Sequence, residues 1–262
     1  AFLLSRGATR VVGKSYDWEE AVGLVIVNKR GVRKASLRAS LWDKPAEWVS
    51  RHASLTFNQY GREFPNGGMN DAGLVIEIMW LDSSRYPKRD ERVTVNELQW
   101  IQFMLDQFET VDEVAEHAQR LRVSPVTAKV HYLACDRRGQ CAAFEYLAGH
   151  LTISRGDDVR ALTNHSYEAS AAYRGEHQGF GGAKKAPRSA GSLDRFVRAS
   201  LAAKAAPSKD EVERAFAVLD DVSQGEFSKW NIVYEMDKLR VHFRSKDHPS
   251  KKYVELGGFD AS

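Results

Sequence analysis

Cysteine is almost missing from this 262-residue chain: only Cys135 and Cys141 are present. Two cysteines cannot build a disulfide scaffold or a thiolate-rich zinc site. The eight histidines are scattered, without His-Glu-x-x-His or Cys-x-x-Cys spacing, so neither a metal nor another cofactor is expected. No apolar run approaches the roughly 20 residues of a membrane span. Charge of one sign is also lacking: 38 Lys and Arg are interleaved with 35 Asp and Glu. Short pairs such as Arg137-Arg138 and Lys184-Lys185 read as solvated turns rather than a nucleic-acid stripe. No repeat, low-complexity tract or linker divides the chain, and one domain over residues 1–262 is expected. There is no initiator Met, and the start at Ala1-Phe2-Leu3-Leu4 reads as a processed or trimmed end. Removal of an export signal, autocatalytic processing or removal of Met would each produce it. Export gives a periplasmic or secreted protein, and the alternative is cytoplasmic.

What is there begins with a hairpin. Phe2 to Ser5 and Val11 to Trp18 are two strands with a short polar break between them. Gly23 to Val27 reads as a buried strand ending at the turn 28–31. Ala53, Leu55 and Phe57 alternate with Ser54, Thr56 and Asn58, which predicts a half-buried strand. Phe64 to Gly73 reads as a tight glycine-laden turn feeding a strand over Leu74 to Leu81. Leu98, Ile101, Leu105 and Phe108 stand at helical spacing, and Thr110 with Glu113 predicts the capping box of a second helix. Strands follow over Val130–Cys135 and Cys141–Leu147. The two cysteines flank a hairpin turn there, and two half-buried thiols fit better than a cross-strand disulfide. Another short strand ends at Ala161-Leu162-Thr163-Asn164. Residues 175–191 read as a mobile surface loop, before a helix from Ser192 to about Ala203 and one from a Ser208/Glu211 capping box. Trp230–Glu235 and Leu239–Phe243 form a closing hairpin. Blocks of strands and helix pairs argue for an α+β protein, two sheets face to face under helix pairs.

Few residues offer chemistry. Asp17, at the end of its strand, is either a turn aspartate or a carboxylate that orients an amine or thiol one strand away. An α-amino group titrates near 8 and can serve as general base to a nucleophile at residue one. The 66–73 turn lets backbones pass closely and is no phosphate loop. Asn164 is a turn residue or a donor to a developing oxyanion. His165 beside it reads as solvated. Arg195 sits in the first turn of a helix, where the macrodipole does not favour it, so a carboxylate partner elsewhere would explain its place.

Taken in order, Gly13-Lys14-Ser15-Tyr16-Asp17-Trp18, Gly67-Gly68-Met69-Asn70-Asp71-Ala72-Gly73-Leu74, Leu162-Thr163-Asn164 and Ser192-Leu193-Asp194-Arg195-Phe196 resemble the choloylglycine hydrolase family. The resemblance spans nearly the whole chain. It implies an N-terminal nucleophile hydrolase with a four-layer αββα sandwich. A processed N-terminal Cys would attack an N-acyl amide, with its own α-amine moving the proton. By position Asp17 matches the aspartate that holds that amine, Asn164 the oxyanion asparagine and Arg195 the arginine near the thiol. Lys14 stands where the family usually has Arg, and Trp80 where the second oxyanion donor arises, through its backbone N–H. The nucleophile itself is expected in a Cys-Thr dipeptide just before Ala1. The rival reading is a non-catalytic small-molecule binder on the same fold. A homo-oligomer is possible for this family; the short segment between Asn164 and Arg195 leaves its form open.

Overall fold

A computed structural model describes residues 1–126 and 128–260. In chain order the first strands are β1 (Phe2–Arg6), β2 (Thr9–Asp17), β3 (Leu24–Asn28), β4 (Arg33–Ala35), β5 (Glu47–Val49), β6 (Ser54–Asn58), β7 (Pro65–Asn70), β8 (Val75–Trp80) and β9 (Val93–Val95). Next come α1 (Gln99–Gln107), α2 (Val111–Ala118), β10 (Leu121–Val123), β11 (Val130–Cys135), β12 (Cys141–Leu147), β13 (His150–Arg155) and α3 (Tyr167–Gly175). They are followed by α4 (Ser192–Lys204), α5 (Glu211–Asp221), β14 (Ser228–Glu235), β15 (Arg240–Ser245) and β16 (Lys252–Glu255). Among the described residues, no helix is long and apolar enough to cross a membrane.

Two antiparallel sheets carry the fold. One runs β1-β2-β14-β15-β16 and the other β13-β12-β11-β8-β7-β6-β3. Their inner faces meet through aromatic side chains. Phe57 of β6 touches Trp230, Tyr234 and Phe243 edge-on, with ring centroids 5.8, 6.2 and 5.7 Å apart. The outer face of the larger sheet packs on α1, where Trp100 stacks on Tyr132 at 4.2 Å. Such a pair adds about 0.5–1.5 kcal/mol beyond its area burial. Helices α4 and α5 cover β1 and β2 on the other side. The expected order of layers, helix, sheet, sheet, helix, is therefore what the chain forms.

Local chemistry sets the elements that matter for the site. The β1–β2 hairpin turns in two residues, with Gly7 at φ +52°, a conformation open to glycine at no steric cost. Thr110 and Glu113 make the expected reciprocal capping box of α2. For α5 the cap is Asp210 rather than Ser208: its carboxylate takes the N–H groups of Val212 and Glu213, while Glu211 accepts from the Ser208 N–H.

Several expectations need correction. Residues 65–70 are a strand, not a turn; β7 is buried throughout and paired to β6 and β8. Its glycines serve close approach: a Cβ on Gly67 would lie 2.3 Å from the Glu77 carboxylate, and one on Gly68 2.6 Å from the Leu55 carbonyl. The true turn is Asp71-Ala72-Gly73. β6 is buried on both faces, because the larger sheet is covered on both sides. β3 is the edge strand of that sheet, and its Leu24 is exposed, not buried. Residues 161–164 pair with the start of β1 by a single bridge instead of forming a strand, and β4, β5, β9, β10, β13, α3 and β16 lie outside the elements expected from the sequence. Cys135 and Cys141 are not free thiols. They stand directly opposite each other on β11 and β12 and are joined in a disulfide.

Candidate active site

The elements bring the separated candidates to one place. β2 delivers Lys14 and Asp17, β8 delivers Trp80, the bridge segment delivers Asn164, and the first turn of α4 delivers Arg195. Arg195 Nη2 donates to Asn164 Oδ1 at 2.6 Å, and its Nη1 lies 3.7 Å from Asp17 Oδ2. This is the partner its unfavourable place on the helix called for. Burial works against its charge and Asp17 supports it.

Asn164 is fixed at three points. Its backbone N–H donates to Ser192 Oγ at 2.8 Å, its Oδ1 takes Arg195, and its Nδ2 donates to the Trp80 carbonyl at 3.1 Å. An amide nitrogen carries two hydrogens, so one remains for a reacting group. Trp80 presents its backbone to the same side. In the β8–β11 ladder the Leu81 N–H bonds the Lys129 carbonyl, so the N–H and carbonyl of Trp80 both point away from β11. The indole of Trp80 donates to Asp82 and lies 5.9 Å from the ring of Trp18, and both rings are half-buried.

Asp17 is held by residues that no sequence pattern marked. Ser15 and Ser228 hydroxyls donate to its Oδ1 at 2.6 and 2.5 Å, and Gln224 Nε2 donates to its Oδ2 at 2.7 Å. Three neutral donors and one nearby guanidinium leave the carboxylate room for one more donor. Lys14 is buried deeper, between the sheets, and its ammonium donates to the Ile78 carbonyl. Burial pushes that ammonium below the ordinary lysine range, and Glu77 and Asp17 pull it back up. His165 is exposed, as expected of a solvated histidine.

Glu77 was missed, since a lone Glu inside an apolar strand carries no motif. It is 1% exposed, takes a hydrogen bond from the Tyr234 hydroxyl and faces Lys14 across the inter-sheet space. Burial pushes its carboxyl up to about 7, against the pull of Lys14 and Tyr234. A carboxyl raised in the folded state favours folding while protonated, and that contribution is lost as pH rises from about 4.5 through 7. Stability should therefore fall across that window, and Glu77→Gln should flatten the fall whatever it does to absolute stability. Thermal unfolding in small pH steps checks this; an unchanged slope in the variant would show that Glu77 ionises freely. Beside this group an apolar slot opens between the sheets, lined by Tyr16, Val22, Leu24, Phe57, Trp230 and Ile232. It adjoins the polar cluster through Tyr16 and Glu77, and does not include Asp17, Asn164 or Arg195.

Known proteins resemble this chain in sequence and fold. The chain is 25% identical over 254 residues to a penicillin V acylase of Pectobacterium atrosepticum, an alignment covering 80% of this chain and 68% of that one. The solved penicillin V acylase of Agrobacterium tumefaciens superposes with a TM-score of 0.88 at 25% identity, covering 100% of this chain and 87% of that one. A conjugated bile acid hydrolase variant from Clostridium perfringens shares the fold, with a TM-score of 0.84 at 14% identity, over 99% of this chain and 93% of its own. Residues 8–235 match the family described as linear amide C–N hydrolases, choloylglycine hydrolase family. With its αββα sandwich of the N-terminal nucleophile hydrolases, the chain belongs to the choloylglycine hydrolase family and is a linear amide C–N hydrolase.

Proposed function

We propose that the protein hydrolyses N-acyl amides with an apolar acyl group, through a cysteine two positions ahead of Ala1. The observation that carries this reading is Asn164, an amide locked by three hydrogen bonds with one N–H hydrogen left over. The ladder around Ala1 supports the place of the nucleophile. Ala1 and Leu162 exchange two backbone hydrogen bonds, at 2.8 and 2.9 Å, and Leu3 bonds Arg160 at 2.8 Å. Continued antiparallel, that register brings the position two residues before Ala1 opposite Asn164. The β1–β2 register, with Phe2 opposite Gly13, brings the same position opposite Tyr16, next to Asp17.

In this reading the thiol sulfur attacks the amide carbonyl while the α-amine of the same residue takes the thiol proton. Asp17 holds that amine. The Asn164 amide and the Trp80 N–H donate to the oxyanion, and Lys14 and Arg195 supply positive charge around it. Collapse breaks the C–N bond, and the leaving amine takes the proton back. Water then attacks the thioester with the α-amine as base; the C–S bond breaks, the acid leaves, and the α-ammonium returns its proton to the thiolate.

The Trp18–Trp80 pair and the neighbouring apolar slot support an apolar acyl group. The penicillin V acylases among its relatives favour an amide of that class. Trp80→Ala keeps the backbone donor and removes one ring. It should raise KM for an aryl-acyl amide about tenfold with kcat held within a few-fold. A substrate panel read as kcat and KM separately tests this; equal loss for aryl and short aliphatic acyl groups would remove the rings from recognition. The Cys135–Cys141 disulfide supports an exported protein, since such bonds persist in oxidising compartments.

A further inference from the structure

Beneath the oxyanion asparagine lies a buried pair that the reaction itself does not use. His131 of β11 and Glu145 of β12 stand directly opposite each other, at 0% and 1% exposure. Their side chains face the inter-sheet space, on the face opposite Tyr132 and Phe144. His131 Nδ1 lies 2.8 Å from Glu145 Oε1, and its Nε2 lies 2.6 Å from the Thr163 carbonyl oxygen. A carbonyl can only accept, so Nε2 carries a hydrogen and donates. The 2.8 Å contact of Nδ1 with Glu145 Oε1 needs one hydrogen between them, carried by either partner. Both Glu145 oxygens also accept the Tyr167 N–H that opens α3, at 3.0 and 3.1 Å.

The Thr163 carbonyl belongs to the peptide bond that carries the Asn164 N–H. That peptide is thus clamped at both ends: its oxygen by His131, its N–H by Ser192 Oγ. Sequestering an imidazole and a carboxyl from water is costly unless their hydrogen bonds are satisfied. Here they are, and the chain of contacts ends on the residue whose side chain must be placed most accurately.

We infer that His131, supported by Glu145, is a positioning residue that sets the Asn164 amide for the oxyanion. The inference rests on the proposed role of Asn164. His131 touches no reacting atom; it fixes the peptide from which the donor projects, as outer partners orient the groups that act.

The test is kcat and KM for an N-acyl amide in His131→Leu, His131→Gln and Asn164→Ala, alone and combined. Loss of the clamp should lower kcat about tenfold to a hundredfold, the scale of a small misplacement, with KM nearly unchanged. His131→Gln, which keeps a donor near Nε2, should recover most of it. In the Asn164→Ala background the His131 substitutions should have little further effect, because residues acting as a unit are not additive. Wild-type kcat in folded His131→Leu, or an equal loss in both backgrounds, overturns the inference while leaving Asn164 in place. Wild-type turnover in Asn164→Ala overturns both the inference and the reading it rests on. Should His131→Leu not fold, Glu145→Gln takes its place, since it keeps the shape and one acceptor. A reduced kcat that depends on Asn164 supports the clamp, and an unchanged kcat overturns it.

Discussion

Asn164→Ala is expected to lower kcat by about 100- to 1000-fold, the usual loss when one oxyanion donor is removed. The fold should survive. Asn164 is half-buried at the surface of the site, and the substitution leaves its backbone N–H on Ser192 Oγ. Two groups lose a partner, the Trp80 carbonyl and Arg195 Nη2. Arg195 keeps the Ala190 carbonyl at 3.0 Å and Asp17 nearby. KM should move little, since the donated hydrogen bond strengthens as charge develops. Steady-state kinetics with an N-acyl amide, beside a thermal melt, reads both. Near-wild-type turnover in a folded variant would remove Asn164 from the mechanism.

Asp17→Asn should abolish the acylation burst with substrate still bound. The α-amine that moves the thiol proton would lose the charged acceptor that holds it, and a general base is worth about 100- to 10,000-fold. The substitution is close to isosteric. Its amide can turn so that the oxygen takes Gln224 Nε2 and the nitrogen donates to the Ser15 and Ser228 hydroxyls, which are able to accept. What it cannot restore is the charge facing Arg195. Stopped-flow release of a chromogenic amine separates the cases: an intact burst would take Asp17 out of the first step.

Much of the frame was legible. The hairpin at residues 2–18, the capping box at Thr110 and the bounds of β11 and β12 follow from local chemistry that tertiary packing did not override. β7 stayed hidden because Pro65, Gly67 and Gly68 carry turn signals, and their reason lies in Glu77, Leu55 and Thr56 on neighbouring strands. β6 misled because its alternation of apolar and polar residues describes one covered face, whereas helices and a second sheet cover both. The disulfide was underestimated since proximity across a hairpin depends on register, and six residues of separation alone do not fix it.

The site divides in the same way. Asp17, Asn164 and Arg195 stand out by residue type and place, Lys14 and Trp80 only through a resemblance in the order of short motifs, and the structure gathers all five. Ser15, Gln224 and Ser228 around Asp17 carry no such signal, for they come from β2, the approach to β14 and its first residue, over 200 residues apart in sequence. His131 and Glu145 sit in separate strands whose opposition no spacing rule reveals. The groups proposed to act stand in recognisable motifs, whereas those that hold them are distributed by topology.

The central claim is a thiol beside Asn164, two positions ahead of Ala1. Peptide mapping of the mature protein by mass spectrometry, before and after exposure to a slowly turned-over N-acyl amide, tests it most directly. The account predicts an N-terminal peptide in which Cys-Thr precedes Ala1 and the cysteine carries the acyl group, with iodoacetamide blocking both the adduct and turnover. A mature chain that turns over substrate with no cysteine ahead of Ala1, or a cysteine there that never becomes acylated, would contradict it.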